Sequence, residues 1–76
     1  MQGMCVKNRV AEYRTRLGLT QNDLAKYANL GQSSISEIEE EKRLPRIDTA
    51  LFISSVLKCE VGDIFYLDKV DRKENA

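Results

Sequence analysis

The chain has 76 residues with 12 basic and 12 acidic side chains, and its formal net charge at neutral pH is zero. This length predicts one small domain with a marginal core and leaves no room for a separate ligand-sensing domain. The composition includes no histidine, and the two cysteines do not form a Cys-x-x-Cys pair, so the sequence argues against a zinc site.

The first predicted element is a helix over residues 7–17, which follows a flexible N-terminus at residues 1–6. Gly18 comes directly after this helix, and glycine in that position is typical of a helix C-terminus. The apolar residues that share one face of the helix, at i, i+3 and i+7, are Val10, Tyr13 and Leu17.

A second, short helix is predicted over residues 21–27, with Thr20 as its N-cap. Asn29 follows in a segment too short for anything but a turn, and asparagine tolerates the left-handed conformation that such a turn needs. The apolar residues on one face of this helix are Leu24, Ala25 and Ala28.

The third helix begins at about Gln32 and presents a small polar face to solvent. Helical geometry directs Ile35 and Ile38 towards the core on the other side. The exposed arc spans roughly 140° and contains Gln32, Ser33, Ser36, Glu37 and Glu40.

Side chains on this arc are suited to contact nucleic acid bases. Glutamine can donate and accept side by side, as N6 and N7 of adenine require, and serine can contact any base or a phosphate. Free backbone N–H groups at a helix N-terminus also bind phosphate oxygens. For one isolated helix, an ordinary solvated face would be the better interpretation. The preceding helix and tight turn favour a nucleic-acid-binding surface.

Two further helices are predicted after a loop that ends at Pro45, over residues 47–57 and 61–66. No strand is predicted, because the apolar run at 65–67 is too short. Residues 68–76 form a polar C-terminal tail. The residues expected to be buried in the last two helices are Ile47, Ala50, Leu51, Ile53, Leu57, Val61, Ile64 and Phe65.

Several short motifs follow one another in a definite order and spacing. They are Arg14, Gly18-Leu19-Thr20-Gln21, Leu24-Ala25, Ser34-Ile35-Ser36, Ile38-Glu39, Lys42-Arg43-x-Pro45 and Asp63-Ile64-Phe65. Together they resemble the Cro/repressor-type (XRE-type) helix-turn-helix family of phage and bacterial transcription regulators, and the resemblance covers residues 6–67. It implies an all-α fold, a five-helix repressor-like DNA-binding domain over residues 7–67 with a central helix-turn-helix.

The resemblance also implies where DNA would be contacted. Base contacts are expected from Gln32, Ser33, Ser36 and Glu37. Phosphate contacts are expected from Gln21, Lys42 and Arg43, and in this family the glutamine that opens helix two often also braces the recognition glutamine. Two alternatives remain: Gln21 is a simple first-turn residue, and the two basic side chains only balance the neighbouring glutamates.

Arg14 and Glu39 match positions at which family members form an ion pair between helix one and the recognition helix. Such a pair orients the helix and does not read DNA. The sequence departs from the family pattern at Glu41, where glycine is usual, and at Arg46, where a helix-capping serine is common. The two glutamates on the exposed arc also depart from a simple DNA-binding surface, because a glutamate near phosphates mainly repels them.

These features predict a sequence-specific DNA-binding transcriptional regulator, and they favour a repressor over an activator. The protein is expected to bind double-stranded DNA as a homodimer on a two-fold symmetric operator. Tyr66 and Leu67 are expected in the dimer interface, because a small domain cannot bury the whole apolar run that contains them. The sequence has no sign of enzymatic activity, of a cofactor, metal or small-molecule ligand, or of a membrane segment. A cytoplasmic location is therefore expected. A protein-binding module of the same fold, antirepressor or antitoxin-like, is the alternative that zero net charge and a Glu-rich recognition helix leave open.

Overall fold

The computed structural model describes residues 4–69, in which five short helices are joined by a pair of strands from the two ends of this range. The elements in chain order are β1 (Met4–Asn8), α1 (Val10–Arg16), α2 (Gln21–Tyr27), α3 (Gln32–Glu39), α4 (Ile47–Val56), α5 (Val61–Ile64) and β2 (Phe65–Lys69). The five predicted helices are therefore confirmed. Residues 1–3 and most of the predicted tail, at 70–76, lie outside the described residues.

The antiparallel β1–β2 sheet is the main departure from the predicted all-α fold. Its register runs from Met4 opposite Lys69 to Asn8 opposite Phe65. The prediction that helix one begins at residue 7 is wrong, and residues 4–6, expected to be flexible, belong to β1. Likewise, helix five ends at Ile64, where the chain becomes extended. Each strand has only five residues and its partner is distant in sequence, so neither shows a local hairpin pattern.

The core lies between the helices, and it confirms the predicted inner faces of helices two and three. On helix one, Val10 is buried and Tyr13 packs against the core, but Leu17 is 46% exposed, so its predicted burial is wrong. Ile35 and Ile38 are at most 2% exposed. Burying a side chain of this size stabilises the fold by about 1.5–3 kcal/mol. The buried core residues are Val10, Leu24, Ala25, Ala28, Ile35, Ile38, Ile53, Leu57 and Ile64.

Helix α4 is oriented differently from the prediction. Ile47 and Leu51, which the pattern assigns to the core, are 81% and 53% exposed, so that prediction is wrong. Phe52 is also 55% exposed. The helix has apolar side chains of its own on nearly every side. The periodicity of apolar residues therefore cannot indicate which face packs inward. Ala50 and Ile53, which are also predicted to be buried, do lie on the buried side.

The turn between α2 and α3 has the predicted local structure. Thr20 and Asp23 form a reciprocal capping box at the start of α2. The backbone N–H of Thr20, and next its hydroxyl, hold the pKa of the Asp23 carboxyl below its usual value. Asn29 has a φ of 59°, the left-handed conformation expected for this position. The capping box fixes the start of α2, and the positive φ of Asn29 turns the chain from α2 towards α3.

The end of α3 depends on a non-glycine residue in the left-handed region. Glu41 has a φ of 64°, a conformation that is unfavourable for residues with a Cβ. Its carboxylate lies 3.3 Å from Lys7 Nζ and accepts a 3.4 Å hydrogen bond from the Asn8 backbone N–H. Asn8 also donates its side-chain amide to the Ile38 carbonyl at 2.8 Å. The glutamate that replaces the usual glycine therefore ties α3 to β1.

Arg46 is the N-cap of α4, and its side chain makes no capping hydrogen bond. Its extended backbone, with φ −68° and ψ 162°, already suits a capping serine. We expect Arg46→Ser to stabilise the protein by about 0.5–1 kcal/mol, because a serine oxygen accepts from a free N–H in the first turn. Urea unfolding measures this change, with Arg46→Ala as the control. Equal stability of the two variants would contradict the prediction.

Candidate nucleic-acid interface

The N-terminal end of α3 forms an exposed polar surface. Gln32 and Ser33 are exposed, and within residues 4–69 neither side chain makes a hydrogen bond. Gly31 is the N-cap and has no side chain to cover the first backbone N–H groups. Ser36 is half-buried one turn later, and Glu37 is exposed. The predicted base-contact residues therefore lie together on one helix, with polar groups available to a ligand.

A buried ion pair joins this helix to α1. Arg14 Nε lies 2.7 Å from Glu39 Oε2, and Arg14 Nη2 lies 3.2 Å from Oε1. The two side chains are only 14% and 6% exposed. Arg14 Nη1 also donates to the Leu19 carbonyl at 2.8 Å. The predicted pair is thus present, and its fork geometry holds α1, the start of the α2 segment and α3 together.

Gln21 belongs to the same network. Its Nε2 donates a 2.9 Å hydrogen bond to Glu39 Oε1. The family pattern suggests that this glutamine braces Gln32, but here it supports Glu39. Gln21 is half-buried, and its side-chain oxygen has no partner among the described residues. That oxygen is an acceptor, so only the amide hydrogen not used by Glu39 is left for a phosphate.

Lys42 and Arg43, the two predicted phosphate contacts on the loop after α3, both contact glutamates. Lys42 Nζ lies 3.2 Å from Glu40 Oε1, and both side chains are more than half exposed. Arg43 Nη1 donates to Ser34 Oγ at 3.2 Å and lies 3.4 Å from Glu37 Oε1. In the free protein, both basic side chains therefore do balance the charge of neighbouring glutamates, as the alternative interpretation holds.

The acidic segment at residues 37–41 is neutralised by four basic residues from three places in the fold, namely β1, α1 and the loop after α3. Each glutamate has its own cation: Glu37 with Arg43, Glu39 with Arg14, Glu40 with Lys42, and Glu41 with Lys7. Three of these pairs are substantially exposed and screened by solvent. The recognition helix consequently presents a surface that is close to neutral and not strongly acidic. Sequence reasoning missed Lys7 and Ser34, because their partners are distant along the chain or lie across a loop.

The residues predicted for a dimer interface lie on opposite faces of β2. Side chains alternate along a strand, so Leu67 shares a face with Phe65 and with its cross-strand neighbour Val6. Tyr66 points to the other face, where the Arg9 guanidinium lies 4.2 Å from the centre of its ring. Leu67 is 63% exposed, whereas Tyr66 is half-buried.

An apolar groove of about 280 Å³ lies between the sheet and the start of α4. It adjoins the loop that carries Lys42 and Arg43. Two of its residues, Leu44 and Ile47, are 67% and 81% exposed. The lining residues are Val6, Leu44, Pro45, Ile47, Ala50, Val61 and Phe65. Exposed apolar clusters of this kind mark interaction surfaces.

The described part of the chain has no grouping of three or more acidic, cysteine or histidine side chains that would suit a metal ion. In the same range, none of the helices has the length and apolar character needed to span a bilayer.

Comparison with protein families and known sequences gives consistent matches. A family model described as helix-turn-helix matches residues 10–64. An uncharacterized HTH-type transcriptional regulator of Archaeoglobus fulgidus is 30% identical over 63 residues, covering 83% of this chain and 90% of that protein. The HTH-type transcriptional regulator ImmR of Bacillus subtilis is 30% identical over 73 residues, covering 96% of this chain and 58% of ImmR.

Two solved structures are similar in both fold and sequence. The restriction-modification controller protein C.AhdI of Aeromonas hydrophila has a TM-score of 0.70 and 29% identity, covering 72% of this chain and 83% of its own. The N-terminal DNA binding domain of SinR from Bacillus subtilis has a TM-score of 0.66 and 31% identity. That match covers 70% of this chain and 78% of the SinR chain.

Proposed function

The chain belongs to the XRE-type helix-turn-helix family of transcriptional regulators, and we propose that it is a repressor that binds a two-fold symmetric operator as a homodimer. Membership of the family makes it a DNA-binding regulator and not an enzyme. Its partner is double-stranded DNA. We infer the residues that read the operator from the geometry of α3.

One observation carries the proposal: Gln32 and Ser33 are exposed at the start of α3 with no partner in the described chain, while Glu39 on the same helix is held by buried contacts. To read bases, a helix must be held in a fixed orientation and must carry side chains whose hydrogen-bonding groups are free to contact the base edges. In the proposed complex, Gln32, Ser33 and Ser36 face the base edges of the major groove. Gln21 and Lys42 contact phosphates on either side.

The same geometry weighs against the protein-binding alternative. That hypothesis depends on an acidic recognition helix, but every glutamate between residues 37 and 41 has a basic partner. Neutral pairs give little attraction for a basic protein. They also give little non-specific attraction for DNA, because few phosphates are neutralised. We therefore propose a regulator whose DNA affinity depends strongly on sequence and weakly on salt.

For the dimer, we propose that Leu67 lies in the interface together with Leu44 and Ile47, and that Tyr66 does not. These three side chains are all more than 60% exposed. The groove beside them adjoins the loop after α3, so a two-fold axis at this surface would bring the two recognition helices onto one face of the assembly. Two half-sites about one helical turn apart are then read together.

Selection from a pool of random DNA duplexes tests the proposal directly. We expect enrichment of a palindromic sequence whose half-sites are centred about 10 base pairs apart. A reporter gene under a promoter that contains this sequence then tests repression. Failure to enrich any sequence, together with capture of the chain by a protein partner only, would support the alternative function.

Replacing Gln32 by alanine tests the proposed base readout. We expect a loss of about 1–3 kcal/mol on the selected site and a relaxed preference at one base pair of each half-site, because a bidentate amide contact is lost. Gel shifts on duplexes with single base-pair changes measure both effects. Asn22→Ala, an exposed amide on α2, is the control. Equal weakening on selected and scrambled DNA would show that Gln32 does not read bases.

A further inference from the structure

Arg43 folds back from its loop onto the side of the recognition helix. One nitrogen, Nη1, contacts both Ser34 Oγ at 3.2 Å and Glu37 Oε1 at 3.4 Å. The Arg43 and Glu37 side chains remain 54% and 50% exposed. The sequence assigns these two residues separate roles, a phosphate contact and a base contact. In the structure they form one unit, the Arg43–Glu37 pair.

The Arg43–Glu37 pair keeps most of its hydrogen-bonding capacity. A guanidinium has five N–H donors in a planar fork, and the contacts within the described chain use only Nη1. The second carboxylate oxygen of Glu37 accepts from no other described residue. The pair therefore offers two or more donors beside one acceptor, all of them at the solvent-facing side of α3.

This arrangement matches the major-groove edge of a G·C base pair. Guanine presents two acceptors, N7 and O6, and the paired cytosine presents one donor at N4. An A·T pair presents a different order of groups, an acceptor at N7, a donor at N6 and an acceptor at O4. We propose that Arg43 and Glu37 together read a G·C pair, with Arg43 donating to guanine and Glu37 accepting from cytosine. The proposal rests on the DNA-binding function argued above.

Charge balance explains why the two residues belong together. An unpaired glutamate at the DNA surface would be repelled by phosphates, and an unpaired arginine would bind phosphates at any sequence. When they are paired, the two charges contribute little to non-specific attraction for DNA. The gain in binding free energy then comes mainly from contact with a matching base pair. Ser34 fixes the guanidinium at the side of α3 and so limits its motion towards the phosphates.

The test compares this pair with the neighbouring Lys42–Glu40 pair, which is similarly exposed but has no guanidinium fork. Each base pair of the selected half-site is changed in turn, and binding is measured for the wild type, Arg43→Ala, Glu37→Gln, Lys42→Ala and Glu40→Gln. We expect the wild type to prefer G·C about tenfold or more at one position. Arg43→Ala should abolish that preference, Glu37→Gln should reduce it at the same position because the amide keeps only one acceptor oxygen and loses the charge that pairs with Arg43, and the two control variants should retain it.

Substitution of that guanine by 7-deazaguanine, which lacks the N7 acceptor, adds a test at the level of one atom. It should weaken binding of the wild type and leave the already weakened Arg43→Ala variant unchanged. Thermal unfolding of each variant confirms that these surface changes leave the fold intact.

Four results would overturn the proposal. Uniform weakening of all duplexes by Arg43→Ala, with the salt slope reduced by about one, would make Arg43 a phosphate contact only. If Glu37→Gln strengthens binding to all duplexes equally, Glu37 does not read a base and only holds Arg43 away from the phosphates. If Gln32→Ala loses its own base preference while the Arg43 and Glu37 variants lose none, the proposed function stands and this inference fails. If selection yields no preferred sequence at all, both fail.

Discussion

Replacing Glu39 by alanine is expected to destabilise the protein by about 3–5 kcal/mol, because Arg14 would be left buried without its charge partner. Arg14 is 14% exposed and would keep only the Leu19 carbonyl as an acceptor within the network. Small domains have a free energy of unfolding of only about 0.05–0.15 kcal/mol per residue. The loss is therefore a large fraction of the whole stability of this chain, and urea unfolding followed by circular dichroism measures it.

A double-mutant cycle separates the pair from its surroundings. Arg14→Ala, Glu39→Ala and the double variant should give a coupling energy of about 0.5–3 kcal/mol, with the double variant less damaged than the sum of the single ones. Arg16→Ala is the matched control on the same helix. Arg16 pairs with Glu12, but both side chains are more than half exposed, so its loss should cost no more than about 1 kcal/mol. Strictly additive losses at Arg14 and Glu39 would show that the two do not stabilise each other.

The helix-turn-helix could be predicted from the sequence because its signals are local. Thr20, Asn29 and Gly18 specify turns and caps through their own backbone preferences, and the structure has a capping box or a positive φ at each of them. The Arg14–Glu39 pair joins residues far apart in sequence. It was predictable only through the resemblance to a family, since no periodicity connects α1 with the end of α3.

Features that depend on distant partners could not be predicted. Residues 4–8 become a strand only because residues 65–69 lie beside them, and the burial of α4 is decided by the neighbours it packs against. Arg43 lies on the loop after α3 and contacts Ser34 and Glu37 on the helix itself. The spacing of charged residues along the sequence does not indicate these contacts. Competing tertiary contacts outweigh intrinsic propensity in these places.

The proposed dimer predicts that Ile47→Asp and Leu67→Asp will each make the protein monomeric. A carboxylate buried in an apolar interface without a partner costs several kcal/mol, on the scale of the strongest interface residues, roughly 4 kcal/mol or more. Ile47 is the first residue of α4, where a negative charge is favourable to the helix dipole, so this substitution should not harm the fold of the monomer. Loss of assembly would therefore reflect the interface itself.

Phe52→Asp is the matched control, because Phe52 is an equally apolar side chain on α4, 55% exposed, that does not line the groove. Sedimentation at micromolar concentration should give a dimer for the wild type and the control, and monomers for the Ile47→Asp and Leu67→Asp variants. Binding to a full palindromic site should fall by orders of magnitude in these two variants, since one recognition helix contacts only one half-site. A wild type that is monomeric both free and on DNA would contradict the two-fold symmetric arrangement. Dimers that persist in the Ile47 and Leu67 variants would instead place the interface elsewhere, with Tyr66→Asp as the next variant to measure.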